Sequence, residues 1–161
     1  MGGFSFAVSD ADGSTLTNSI GIHVTPTVTP PLTPFQQWQM LYFGSTTNAN
    51  ADPNADPDGD GQNNLAEFLT GTNPTNAASA FRIISAMQHS NDVVITWTTA
   101  GGFTNSVQTA AGDASGGYTT NFTDLSGSLI ISGSGDITTN YVDGGGATNV
   151  PARYYRIRLV P

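Results

Sequence analysis

Neither cysteine nor lysine occurs among the 161 residues. Without cysteine, disulfides, iron–sulfur clusters and thiol chemistry are excluded. Without lysine there is no Schiff base and no lysine-derived isopeptide crosslink. Positive charge is scarce altogether: four arginines stand against 12 acids, for a net charge of −8. Such a surface repels phosphate backbones and carries no polybasic patch, which argues against nucleic-acid binding and membrane attachment. No apolar run approaches the roughly 20 residues of a membrane-spanning helix, so membrane insertion is not expected. Nor does the start read as a leader, because Met1-Gly2-Gly3 runs straight into Phe4-Ser5-Phe6 without a basic stretch or an apolar core. The expectation is a chain whose leader has been removed, or a piece of a longer one.

Signs of catalysis are equally thin. His23 and His89 fall in separate segments, and no nucleophile motif, phosphate loop or zinc spacing is present. Asp10, Asp12, Asp92, Asp113, Asp124, Asp136 and Asp143 mostly sit beside Gly, Asn, Ser or Thr, as turn residues do. A non-enzymatic protein is expected.

What the chain does contain is glycine (19), proline (9) and much Thr, Ser and Asn, with a hydrophobic fraction of only 37%. That mixture suits short strands joined by turns, and long helices poorly. Four segments follow from the pattern. In residues 1–28, Phe4-Ser5-Phe6-Ala7-Val8 and Ile20-Gly21-Ile22-His23-Val24 alternate about an Asp10–Gly13 turn, which predicts a β-hairpin. Residues 29–33 belong to a Pro/Thr-rich linker flanked by Pro26 and Pro34. In residues 34–79, Thr33 reads as an N-cap with Pro34 at the first helical position. Phe35, Trp38, Leu41 and Tyr42 then recur at helical spacing up to Gly44. A second short helix, roughly 63–70, should place Leu65, Phe68 and Leu69 on one face before Gly71 and Pro74 end it. Residues 80–161 offer strands at 81–88, 93–99, 104–110, 118–123, 128–132, 138–142 and 153–160 between glycine-rich turns, an antiparallel sandwich pattern. Val93, Ile95 and Trp97 share one face, as do Tyr155, Ile157 and Leu159, and these are the expected core. Arg156 and Arg158 fall on the opposite face.

The acids are clustered rather than spread. Calcium takes six to eight oxygens, and a 12-residue loop supplies them from positions 1, 3, 5, 7, 9 and 12, with glycine at 6 for the sharp turn. Asp56-Pro57-Asp58-Gly59-Asp60-Gly61-Gln62-Asn63-Asn64-Leu65-Ala66-Glu67 meets each requirement. The expected ligands are Asp56, Asp58, Asp60, the main-chain carbonyl of Gln62, Asn64 directly or through water, and Glu67. Glu67 is the single glutamate of the chain, and it falls at position 12. Magnesium fits less well, since it demands tighter octahedral geometry. Asp52 and Asn54 precede Asp56 at spacing two and offer the beginning of a second site.

From Asp56 to Gly71-Thr72-Asn73-Pro74 the chain resembles the thrombospondin type 3-like and dockerin-like EF-hand-type calcium repeats of secreted bacterial proteins. Asn73 stands where many such repeats carry an aspartate that serves a neighbouring ion. Residues 81–160 resemble a fibronectin type III-like C-terminal module of such proteins, through Val94-Ile95-Thr96-Trp97, Asn121-Phe122-Thr123-Asp124-Leu125 and Tyr154-Tyr155-Arg156-Ile157-Arg158-Leu159. In that comparison the chain stops before the seventh strand, and an open sheet edge is expected. The hairpin resembles the last two strands of bacterial immunoglobulin- or cadherin-like repeats. The fold class these resemblances imply is a mainly β, immunoglobulin/fibronectin III-like antiparallel sandwich with a small helical calcium-binding insert and an N-terminal hairpin.

A lone calcium loop in a β-rich chain reads as a structural staple, since sensor proteins pair their loops over a Met-rich groove. The function expected is an extracellular, cell-surface structural or adhesive module. Its partners would be copies of itself, joined head to tail by strand complementation into a filament, or neighbouring domains of a longer chain. The rival is a carbohydrate-binding or spacer module, with Tyr118, Phe122, Tyr141 and Tyr154 as candidates for stacking on surface glycans. A coplanar exposed pair would favour that rival, and buried or isolated rings the structural role.

Overall fold

The computed structural model describes residues 5–9, 15–19, 30–118, 120–148 and 150–161. The chain divides into two compact units, Met1–Pro31 and Leu32–Pro161. The described part of the first unit is an antiparallel hairpin of β1 (Ser5–Ser9) and β2 (Thr15–Ser19), with Ser5 opposite Ser19 and Ser9 opposite Thr15. The first strand is where alternation puts it. Its partner is Thr15–Ser19 rather than Ile20–Val24, because the nearer run closes a shorter loop and is itself threonine-rich. Residues 20–24, with His23, lie outside the described residues.

The second unit opens with α1 (Pro34–Phe43), which begins and ends as its sequence dictates. The Thr33 side chain accepts from Gln36 N, the Gln36 side chain accepts from Thr33 N, and Gly44 closes the helix at φ 63°. A 3-10 turn (Ala49–Ala51) follows, and then α2 (Asn64–Thr70), capped by Asn63 and by Gly71 at φ 74°. Rings join the two helices: Phe35 and Trp38 stack at 5.5 Å, and Phe68 meets both edge-on at 5.2 and 6.0 Å. Leu41, Leu65 and Leu69 are exposed, so neither apolar face is covered as a whole. The residue that α1 does bury is Gln39, whose amide donates to the Ala51 carbonyl at 2.6 Å.

The remainder is mainly β. The strands are β3 (Arg82–His89), β4 (Asp92–Ala100), β5 (Thr104–Gly112), β6 (Thr123–Asp124), β7 (Leu129–Ile130), β8 (Asp136–Asp143) and β9 (Ala152–Val160). They form two antiparallel sheets. One has the order β3-β4-β8; in the other, β5 pairs with β9 along one edge and with the short β6 and β7 along the other. One core serves both sheets: Ile95 and Trp97 of β4 and Val107 of β5 are fully buried with Ile131, and Ile83, Ile137, Tyr141, Tyr155 and Ile157 pack around them. The Trp97 indole N–H donates to Asn105 Oδ1 at 2.9 Å, which satisfies its polar atom inside the core. Arg156 and Arg158 are exposed on the outer face of β9.

One expected strand is largely absent. Residues 118–123 supply a single bridge, Tyr118 to Gly112, before β6 begins. The Asp113 carboxylate binds Ser115 and Gly117 of the preceding turn, and the Phe122 ring lies beneath the Arg156 guanidinium, 4.4 Å from its centroid. This segment is held to the sheet by side chains instead of a ladder. Likewise, 128–132 contracts to the two residues of β7. No helix among the described residues is long and apolar enough to cross a membrane.

Candidate metal centre

Residues 56–67 fold as a tight loop that runs into α2. Gly59 (φ 76°) and Gly61 (φ 93°) take left-handed backbone that a side chain would strain. The aspartates turn inward onto the loop's own amides. Asp56 Oδ1 accepts from Gly59 N at 2.8 Å and its Oδ2 from Gly61 N at 3.0 Å, while Asp60 Oδ1 accepts from Gln62 N at 2.7 Å. One carboxylate oxygen from each of Asp56, Asp58 and Asp60 falls within 4.8 Å of the other two. Three negative groups at that separation repel one another unless a cation lies near.

The fourth acid distinguishes this loop from an ordinary solvated turn. Glu67, on α2, is 0% exposed, and neither of its carboxylate oxygens accepts a hydrogen bond of normal geometry. Burial, and then repulsion from Asp58, Asp60 and Asp56 in that order, pushes its pKa up to about 7; the Thr72 hydroxyl eases the shift slightly. Asp58 is raised too, chiefly by burial, and its Oδ2 is buried without a partner. A buried carboxylate without a counter-charge costs several kcal/mol, and proteins tolerate one mainly where a cation or proton answers it. A hard cation seated among these oxygens answers both the repulsion and the orphaned carboxylate, so the residues present fit a metal ion.

Of the expected ligands, Asp56, Asp58 and Asp60 are gathered, and Glu67 stands just outside their triad, electrostatically coupled to all three. Gln62 is held in place through its amides to Asp60. Asn64 has a second task that its position in the loop did not suggest. Its side-chain nitrogen donates to the carbonyls of Asn50 and Asp52, both at 2.7 Å, and its Oδ1 is buried and free. The loop is thereby tied to the 3-10 turn, which Gln39 ties to α1. Asn63 caps α2, a role its residue type suits; nothing in sequence marked Gln39. The residues considered for a second site are not gathered. Asp52 Oδ1 accepts from Asn54 N, and Asn73 Oδ1 accepts from Thr75 N and Oγ1, so both serve their own turns.

The loop is also fastened to the sheets. A Cβ at Gly71 would sit 2.3 Å from Phe103 Cε2, so the end of α2 lies directly on the turn between β4 and β5. The Ser79 hydroxyl accepts from Asn73 N at 3.0 Å and donates to Asp136 Oδ1, at the start of β8, at 2.6 Å.

Elsewhere the aromatic candidates are divided between an outer group and the core. Tyr118 and Tyr154 lie against one another, centroids 4.4 Å apart, and Tyr118 meets Phe122 edge-on. Tyr141 packs beside the core with its hydroxyl on the Leu125 carbonyl. His89 is exposed on β3. No family model matches the chain, and no curated protein or solved structure is significantly similar to it.

Proposed function

We propose that this protein is an extracellular, calcium-stabilised structural and adhesive module rather than an enzyme. The observation that carries the reading is Glu67, a fully buried carboxylate with no partner, at position 12 of a loop whose positions 1, 3 and 5 are gathered aspartates. Calcium is favoured over magnesium because the available donors are many, flexible and all oxygen. Asp56, Asp58, Asp60 and Glu67 would hold the ion, with the Gln62 carbonyl and Asn64 Oδ1 as further oxygens. Bound there, calcium supplies charge neutralisation and crosslinks the start of the loop to α2. The chain's own residues do the rest: Asn64 and Gln39 lock the preceding turn, while Gly71 and Ser79 dock the loop on the sheets.

The strand arrangement supports a fibronectin III-like reading of the sheets: first, second and sixth strands of that region in one sheet, and third, fourth, fifth and seventh in the other, the short fourth and fifth sharing one edge of the third. The acidic balance and the turn-rich composition suit a secreted setting in which calcium is plentiful. The test is isothermal calorimetry with calcium and magnesium, read beside thermal unfolding. Saturable calcium binding that raises the melting temperature, and is lost in Glu67→Ala, is expected. Unfolding that ignores calcium and chelator alike would refute the reading.

A further inference from the structure

The second sheet ends in an uncovered strand. β9 forms nine register pairs with β5 along one edge, and no described strand pairs with the other. Beside that edge is a cleft of about 290 Å³. Ala86 of β3, Val93 of β4, and Val150 and Ala152 ahead of and on β9 supply its apolar lining. Its polar wall is fixed: the buried Asp143 carboxylate accepts from Arg153 Nη1 at 2.6 Å and from the Tyr155 hydroxyl at 2.8 Å. An open ladder edge next to a half-apolar, half-polar gap between two sheets has the geometry of a position for one more strand. β3 and β8 are edges as well, and β3 borders the same cleft through Ala86 and Gln88; what β9 adds is positive charge. Three of the chain's four arginines, Arg153, Arg156 and Arg158, lie on it.

Residues 1–31 match these features. They hold Asp10 and Asp12 and no Lys or Arg, a charge opposite to that of Arg156, the β9 arginine left without an acidic partner among the described residues while Arg153 and Arg158 pair with Asp143 and Asp124. β1 pairs with β2 on one side only, and two strands alone are marginally stable in water. The sequence of β1 alternates Phe6 and Val8 with Ser5 and Ala7, as a strand filling the cleft with one apolar face requires.

We infer that the β9 edge and its cleft are an acceptor for β1 of a second copy, so that copies join head to tail by strand addition. The contact is heterologous, each copy offering one donor and one acceptor, and it propagates unless the rotation closes a ring. The inference rests on the structural-module reading above but not on the ion.

The test is light scattering of the full chain after size exclusion, in calcium, across a concentration series. Two variants separate the halves of the contact: Ala86→Glu, an exposed site on the cleft wall, blocks the acceptor, and Ala7→Pro removes an amide from the donor strand. Wild type is expected to grow beyond twice the single-copy mass as concentration rises. Each variant alone should remain single, and an equimolar mixture should stop at two copies, since it keeps one working donor and one working acceptor. A wild type that remains single at every concentration overturns the inference. So does assembly that survives in Ala86→Glu, or a mixture that does not pair. Calcium-dependent melting, measured on the same samples, checks that the variants are folded and reads the ion's role separately. A wild type that stays single while calcium still stabilises it therefore sinks only the acceptor, and a wild type that assembles but ignores calcium sinks only the ion.

Discussion

The loop segment and the paired sheets lie side by side in one unit, yet they are held by opposite means. In the sheets the largest fully buried side chains are Trp97, Ile95 and Val107, with the polar Asn105 and Thr99 buried beside them. In the loop segment they are Glu67, Asn64 and Thr72. The sheets gain stability by removing apolar surface from water, a term that asks nothing of the solution beyond water itself. The loop buries polar groups and a carboxylate, which stabilises the fold only when each finds a partner. Asn64 finds two carbonyls, and Glu67 finds no counter-charge among the described residues, only a weak contact from the Thr72 hydroxyl. One region thus rests chiefly on apolar burial, and the other leaves a buried carboxylate to be answered by a cation or a proton.

That contrast can be broken most severely at Trp97. Trp97→Ala should cost roughly 3–5 kcal/mol by leaving a cavity and an unpaired Asn105, and by equal amounts in calcium and in chelator when measured by denaturant unfolding. Calcium itself ranks next. At a thousand times its dissociation constant it should add about 4 kcal/mol, or roughly 10–20 °C in calorimetric melting temperature.

Glu67→Gln sharpens the contrast by reversing sign. In chelator it should stabilise the chain, by up to about 3 kcal/mol, because it removes a buried charge; in calcium it should destabilise it relative to wild type. A purely structural side chain would move both melting temperatures the same way.

The pH dependence tests the same carboxyl without mutation. Its pKa rises from 4.5 to about 7 in the folded, calcium-free chain. Between those values the folded state holds a proton that the unfolded state has released, so calcium-free stability is full below the window and falls as pH rises through it. With calcium the slope should invert, since the ligands must be ionised to bind. Melting curves from pH 4 to 8, with and without chelator, would show it. The smallest effect expected is that of Ser79→Ala, which removes the hydrogen bond to Asp136 at about 1 kcal/mol by denaturant unfolding.

How much of this the sequence reveals depends on whether a feature is local. The gathering of Asp56, Asp58 and Asp60 is legible because spacing along twelve residues dictates it. The caps of α1 are legible for the same reason. Ile95 and Trp97 follow from alternation within one strand. What escapes is what depends on a distant neighbour. Val107 is core, but β5 reads as polar because Asn105, Ser106 and Gln108 are buried beside it. Gln108 and Ser106 are satisfied by Asp124, eighteen or so residues on, and Gln108 also by Arg156. The anchoring of Asn64 on Asn50 and Asp52, and the burial of Gln39, likewise need the 3-10 turn to be folded first. The ladder expected at 118–123 shrinks to the Tyr118 bridge and the start of β6, with Tyr118 and Phe122 held by ring contacts and the Arg156 guanidinium instead.

The docking of α2 through Gly71 and Ser79 has a mechanical consequence. The loop lies in series along the chain between α1 and β3, so tension entering through residues 32–34 must cross it before reaching the sheets. Its anchors to β8 and to the β4–β5 turn spread that load over both sheets instead of peeling β3 from its end. The force at which the segment yields would then be set by the salt of the surroundings, stiff where calcium is plentiful and extensible where it is not.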